Sequence, residues 1–338
     1  MGSINETTPL YHPVTIGNVT IGGNVFLAPL AGYTDRAFRS VCISQGASFT
    51  YTEMVSAEGV ARGSENTESL MIRDKSETQL GIQIFMPDFS VSLRALPRLL
   101  HYNPTIIDIN CGCPVPKVIK TGAGSALMND PDKLHNMIKT LKEFTDIPIS
   151  IKIRTGWNDS SINYKDVANA ALSAKVDMIT MHARTRQMAY AGNADWNALK
   201  ELKQYVSYRD PNVVVFGSGD LFSPADAKKM LKTTGIDGVM FARGAIGNPF
   251  LFNNTIRLLQ NEKQIEPTLE EKLSVMLIQL HTMGEYTGEH LACREMRKHA
   301  TSYIKGMSHG SKAKQALVQS TTYKEYEHVC GELVKGNL

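Results

Sequence analysis

Long hydrophobic runs are missing from this chain. No apolar stretch approaches the roughly 18 residues of a membrane-spanning helix, so a membrane protein of helical type is not expected. The opening MGSINETTPLYHP has neither a basic n-region nor an apolar h-region, which argues against a signal peptide. Glu6 stands where N-acylation wants Ser or Thr. Cysteine is scarce, with five in 338 residues. Without an export signal, that usage predicts a reducing, cytoplasmic setting. Cys42, Cys293 and Cys330 stand alone, and no CxxC pairs or His/Cys sets supply the usual four ligands, so no metal site is expected. A Cys111–Cys113 disulfide would be badly strained across one glycine. Excess charge is also lacking: the net value is +3, which by itself does not argue for nucleic acid. There is no low-complexity tract, and no GxGxxG turn follows the first β-like run, so an open dinucleotide-binding sheet is disfavoured.

What is present is a β-then-α unit that recurs eight times. Strands are expected at 25–32, 48–55, 81–85, 106–112, 149–154, 178–183, 213–220 and 238–244. Several are continuous apolar runs, as in parallel strands covered on both faces. Helices are expected between them. The clearest are 129–144, with Asp130 as N-cap and Pro131 at its first position, and 223–235, with Ser223, Pro224 and a terminal Gly235. Others are expected at 35–46 and at roughly 88–100, 164–174 and 195–205, with loop and short helix over 56–73. Eight units predict an α/β fold, a (β/α)8 TIM barrel. After the polar stretch 260–268 the spacing becomes purely helical, over 269–288, 292–307 and 311–334. The expected division is a barrel domain over 1–260 and a smaller all-helical domain over 261–338.

In such a barrel, chemistry sits where the strands end, and polar residues cluster there. GSGD (217–220) and ARGAIGNP (242–249) place glycines and Arg243 where a barrel often binds phosphate. Lys152 shares a strand face with Ser150 and Arg154, opposite three isoleucines. A lysine inside a barrel needs an anion or must lose its proton, so it reads as a Schiff-base amine, a cation facing a cofactor, or a rim lysine. His182 closes a strand, and Gln83 sits within one with an amide to satisfy. Cys111 continues its strand as a small apolar residue. Cys113, held between Gly112 and Pro114 at the rim, is a thiol that can give a proton or attack.

These residues, in the order APLAGYTD (28–35), GIQIF, DINCGCPVPKV (108–118), GAGSALM, KIRTGW (152–157), HARTR (182–186), GSGD and ARG, resemble the tRNA-dihydrouridine synthases. The likeness is greatest to bacterial B-type members and runs from about 15 to 310. It implies an FMN-bearing barrel, a helical tRNA-binding domain and NADPH-dependent reduction of uridine to 5,6-dihydrouridine in tRNA. Cys113 matches the family's catalytic cysteine. Pro29, Leu30 and Ala31, Gln83, Lys152 and His182, Ser218, Gly219 and Asp220, and Ala242 with Arg243 match its FMN-contacting positions. Leu30 stands for the usual methionine, Ser218 for an asparagine and Ala242 for a glycine, and Met86 stands where a glycine commonly follows.

The implied chemistry is hydride addition at C6 of uracil from N5 of reduced flavin and protonation of C5 by Cys113. Lys152 would offset negative charge, and Asn110 would contact the base. The base must be splayed out to reach such a site, with Trp157, Tyr33 and Tyr190 as stacking candidates. Between Glu289 and Lys314, six basic residues face two acidic ones, so Arg294, Arg297 and Lys298 are expected to meet tRNA. Lys117, Lys120, Arg184 and Arg186 would extend that track. A monomer with no protein partner is expected. The alternatives are an FMN reductase of a small pyrimidine or enone, a Schiff-base aldolase, and an RNA-binding module with an inactive barrel.

Overall fold

The computed structural model describes residues 9–338. Residues 1–8 of the opening stretch, Glu6 included, lie outside the described residues. The chain starts with an antiparallel hairpin of β1 (Val14–Ile16) and β2 (Val19–Ile21), not expected from the sequence, turned by Gly17 at φ 57°. Then come β3 (Val25–Leu27), α1 (Arg36–Ser44), β4 (Val55–Ser56), the short α2 (Ala57–Ala61) and α3 (Glu65–Glu68), β5 (Gly81–Phe85), α4 (Phe89–His101), β6 (Ile106–Asn110), α5 (Pro116–Ile119) and α6 (Pro131–Phe144). The barrel continues with β7 (Ile149–Arg154), α7 (Tyr164–Ser173), β8 (Met178–His182), α8 (Trp196–Arg209), β9 (Val214–Ser218), α9 (Pro224–Thr234), β10 (Gly238–Phe241) and α10 (Leu251–Leu259). The barrel strands are parallel, in the order β3-β10-β9-β8-β7-β6-β5-β4.

The ring closes through residues 48–52 rather than through a full second strand. The Ser48 N–H donates to Val25 O and the Leu27 N–H to Phe49 O, both at 2.9 Å, while Thr52 and Thr50 exchange bonds with Gly81 at 2.9 and 3.0 Å. The expected strand at 48–55 is therefore realised as single bridges plus the two-residue β4. One cause is local: Thr52 Oγ1 accepts the Gln83 N–H at 3.2 Å, taking a bond that a regular ladder would make.

The barrel floor is apolar. Phe26 meets Phe49 and Phe216 with ring centroids 5.2 and 4.4 Å apart, and Ile16 and Ile21 of the hairpin are buried beneath. Gly238 makes room for this layer, since a Cβ there would lie 2.3 Å from the Phe216 ring. Each fully buried side chain of this size contributes about 1.5–3 kcal/mol. One layer up, the register turns polar. Gln83 pairs with Asp108 and Asp108 with Ser150 across β5, β6 and β7, which lifts the chemistry to the opposite, carboxyl end.

The caps at Asp130 and Ser223 form as expected, the latter as a full capping box. An irregular segment over 260–268 leads to α11 (Leu269–Thr287), α12 (Glu289–Tyr303), α13 (Gly310–Gln319) and α14 (Tyr323–Lys335). The single helix expected over 311–334 is two, because Thr322 and Glu325 make a capping box that starts a new one. These helices dock on the first barrel helix. The Tyr286 hydroxyl donates to Asp35 at 3.2 Å, and the buried His299 ring packs against Tyr33 and Phe38. Among the described residues no helix is long and apolar enough to cross a membrane.

Candidate active site

The carboxyl ends of the strands surround a cavity of about 700 Å³, within the usual range for a cofactor or ligand pocket. Pro29, Leu30 and Ala31 after β3, Gln83 of β5, and Asn110 with Cys113 at the end of β6 all line it. So do Lys152 of β7, His182 of β8, Ser218 to Asp220 after β9, and Ala242 with Arg243 after β10. Ser302 and Lys305, from the end of α12 and just beyond, reach the same rim. Lys117, Arg184, Arg186, Arg294, Arg297 and Lys298 do not line the cavity.

Cys113 sits in a short turn held from two sides. Asn110 Oδ1 accepts its N–H at 2.9 Å, and its carbonyl accepts from the Ser125 N–H at 3.1 Å and hydroxyl at 2.9 Å. The residue is 9% exposed. Burial pushes its thiol pKa up from the ordinary value, against weaker pulls from the Val115 N–H, Arg154 and Lys152. The thiol is therefore protonated at neutral pH, a proton donor rather than a nucleophile.

Lys152 is half-buried, and among the described residues its Nζ has no hydrogen-bonded or ion-paired partner. Burial, then the Arg154 guanidinium, lowers its pKa to about 8, while Asp108 and Cys113 oppose the shift. His182 lies beside Lys152, Arg154, Arg184 and Arg243. Burial first, and those cations next, drive its pKa down to about 2, so the ring is neutral. Its Nε2 faces Arg184 Nη1 at 3.3 Å. A guanidinium only donates, so that nitrogen accepts and Nδ1 carries the hydrogen.

Arg184 corrects an expectation. Read as part of the tRNA track, it is 2% exposed. Its Nη2 donates to both Asp220 oxygens, at 2.6 and 2.8 Å, and to Gly192 O, and its Nε donates to Ala191 O. It ties the loop after β8 to Asp220, whose φ of 56° lies in the left-handed region. Arg154 is likewise structural, donating to the carbonyls of Gly112, Thr185 and Ala189. Arg186 stacks 4.7 Å over Trp157, and Lys117 and Arg294 are exposed. Arg297 is half-buried, reaching Ser320 O at 3.4 Å, and Lys298 pairs with Glu295 at 3.0 Å.

The residues present fit a phosphate-bearing flavin. The N–H groups of Gly219, Arg243 and Gly244 find no acceptor among the described residues, as in an anion cradle. Arg243 projects between the rings of Tyr190 and Phe222, 4.5 and 5.6 Å away. Ala242 needs no glycine, because its φ is −123°. Asp108 and Ser150, the groups under Gln83, were not singled out by the sequence; the signal for them is polar residues at matching positions of adjacent apolar strands.

A closed parallel barrel with backbone N–H groups unpartnered among the described residues, a neutral histidine, Lys152 and a protonated thiol at one mouth fits a barrel enzyme built around a phosphate-bearing cofactor. The model of the dihydrouridine synthase family matches residues 26–337. A probable tRNA-dihydrouridine synthase of Treponema pallidum (strain Nichols) is 42% identical over 326 residues, 95% of this chain and 96% of that one. tRNA-dihydrouridine synthase B of Pasteurella multocida (strain Pm70) is 32% identical over 92% of each chain. The chain belongs to the dihydrouridine synthase family, and is thus a flavin-using oxidoreductase. Solved structures share the fold at low identity. A 2-naphthoyl-CoA reductase complex gives a TM-score of 0.56 at 10% identity, over 75% of this chain and 52% of that one, so this chain spans about half its length. A variant of NCR from Zymomonas mobilis gives 0.51 at 13% identity, over 79% and 96%.

Proposed function

We propose that this protein reduces the C5=C6 bond of uridines in tRNA to 5,6-dihydrouridine, with FMN as its flavin, NADPH as reductant and Cys113 as the acid that protonates C5. The observation that carries this reading is Cys113 opening on the cavity that also holds Gln83, Lys152, His182 and Arg243. A bound flavin would supply hydride to C6. Cys113 then gives its proton to C5, a general-acid role worth about 10²–10⁴ in rate. Lys152, cationic below pH of about 8, would offset negative charge on a flavin bound in this cavity. The unpartnered N–H groups of Gly219, Arg243 and Gly244, with the Arg243 guanidinium, hold phosphate. Cys111, fully buried, takes no part.

The basic residues around α12, with Lys117, Lys120 and Arg186 on the barrel side, support tRNA as substrate. The same reading makes residues 261–338 the RNA-binding unit, the protein a cytoplasmic monomer, and Asn110 a neighbour of the target base. Cys113→Ala tests it. The variant should retain flavin, visible by its absorbance, and still be reduced by NADPH, while leaving uridine in tRNA unreduced by mass spectrometry. Dihydrouridine formation at the wild-type rate by that variant overturns the assignment. Efficient reduction of free uridine would instead favour a small-molecule reductase.

A further inference from the structure

Asp108 is 3% exposed and does not line the cavity. Its Oδ1 accepts from the Ser150 hydroxyl at 2.5 Å and its Oδ2 from Gln83 Nε2 at 2.7 Å. Gln83 Oε1 accepts from Asn110 Nδ2 at 2.8 Å. Asn110 Oδ1 accepts the N–H groups of Gly112 and Cys113 at 3.2 and 2.9 Å. The polarity of this chain is locked at both ends. A carboxylate only accepts, so Gln83 must turn its NH2 toward it; backbone N–H groups only donate, so Asn110 must turn its oxygen toward them. The two amides between fit in one orientation only.

We propose that Asp108 is a positioning residue: its carboxylate anchors the far end of the Gln83–Asn110 amide chain and so holds the Cys113 turn in its reactive place. The inference rests on the reading of Cys113 as the proton donor. A carboxylate here is costly for the fold, since burial must be overcome. Leucine at 108 removes the acceptor and leaves Gln83 Nε2 without its partner, so the chain is anchored only at its Asn110 end. Asparagine keeps the chain in only one of its two amide orientations, with Ser150 turned to accept.

The test compares Asp108→Leu and Asp108→Asn with the wild type in two measurements. One is steady-state reduction of tRNA. The other is the rate of Cys113 alkylation by iodoacetamide in the flavin-bound enzyme, read by mass spectrometry. Asp108→Leu should lower kcat by about 10- to 100-fold, the size expected for displacing a reacting group by about 1 Å. KM for tRNA should stay within about twofold, since ground-state binding is untouched. Its Cys113 alkylation rate should differ from wild type by about tenfold, and Asp108→Asn should fall between. Wild-type kcat and alkylation in a folded Asp108→Leu overturn the proposal. If that variant does not fold, Asp108→Asn decides in the same way, with unchanged kcat and alkylation as the overturning result. Should Cys113→Ala keep full activity while Asp108→Leu still alters alkylation, the acid assignment fails and the positioning stands.

Discussion

Lys152 and His182 share one barrel mouth, yet only Lys152 changes charge in the working pH range. Burial and neighbouring cations keep His182 neutral across the working range, so its loss should leave the pH profile unchanged in shape. Lys152 is different. With a pKa lowered to about 8, its ammonium is present below that value and lost above it. A pH–rate profile should therefore fall on the alkaline side near 8. Lys152→Arg should move that limb upward, because a guanidinium keeps its proton. Lys152→Met should remove the limb and lower kcat by about 10²-fold. These two residues were legible because a strand-end histidine and an interior lysine break apolar runs. Asp108 was not. On β6 it reads as one of two polar positions in a short strand, and its meaning comes only from Gln83 and Ser150 on neighbouring strands. Arg184 was misread for the converse reason: charge in sequence suggests surface, and only the fold shows it meeting Asp220.

Among the elements, those with apolar runs and capped helices were legible, and those made by tertiary pairing were not. The β1–β2 hairpin is too short for periodicity to reveal, and residues 48–52 close the barrel by bonds to Val25, Leu27 and Gly81 rather than as a regular strand. The Thr322–Glu325 signature that divides the last helical stretch was readable in principle. The loop between β8 and α8 depends most on one side chain. Arg184→Gln should cost about 2–3 kcal/mol, leaving the carbonyls of Ala191 and Gly192 without their donor and Asp220 with only the Ala194 N–H. It should also release bound flavin more readily, measured by equilibrium dialysis and thermal melting.

At the scale of the whole molecule, charge is local rather than global. The net +3 conceals six basic against two acidic residues between Glu289 and Lys314. Arg294 and Lys298 can be reversed to glutamate without touching the core, whereas Arg297 reaches Ser320 O and would disturb packing. The double reversal should weaken tRNA binding and reduce the salt slope of log K by about 1 for each phosphate no longer neutralised. Binding measured at several salt concentrations checks this, and an unaltered slope would remove α12 from the RNA path.

The aromatic floor under Phe26, Phe49 and Phe216 also constrains the order of events. With one end of the barrel stoppered by rings and the hairpin, the cavity among the described residues lies at the other, carboxyl end. Under the proposed function, the nicotinamide donor and the RNA both reach the flavin by this mouth and take turns there. Initial-rate plots with both reactants varied should give parallel lines, the signature of a shuttle that discharges one visitor before admitting the next.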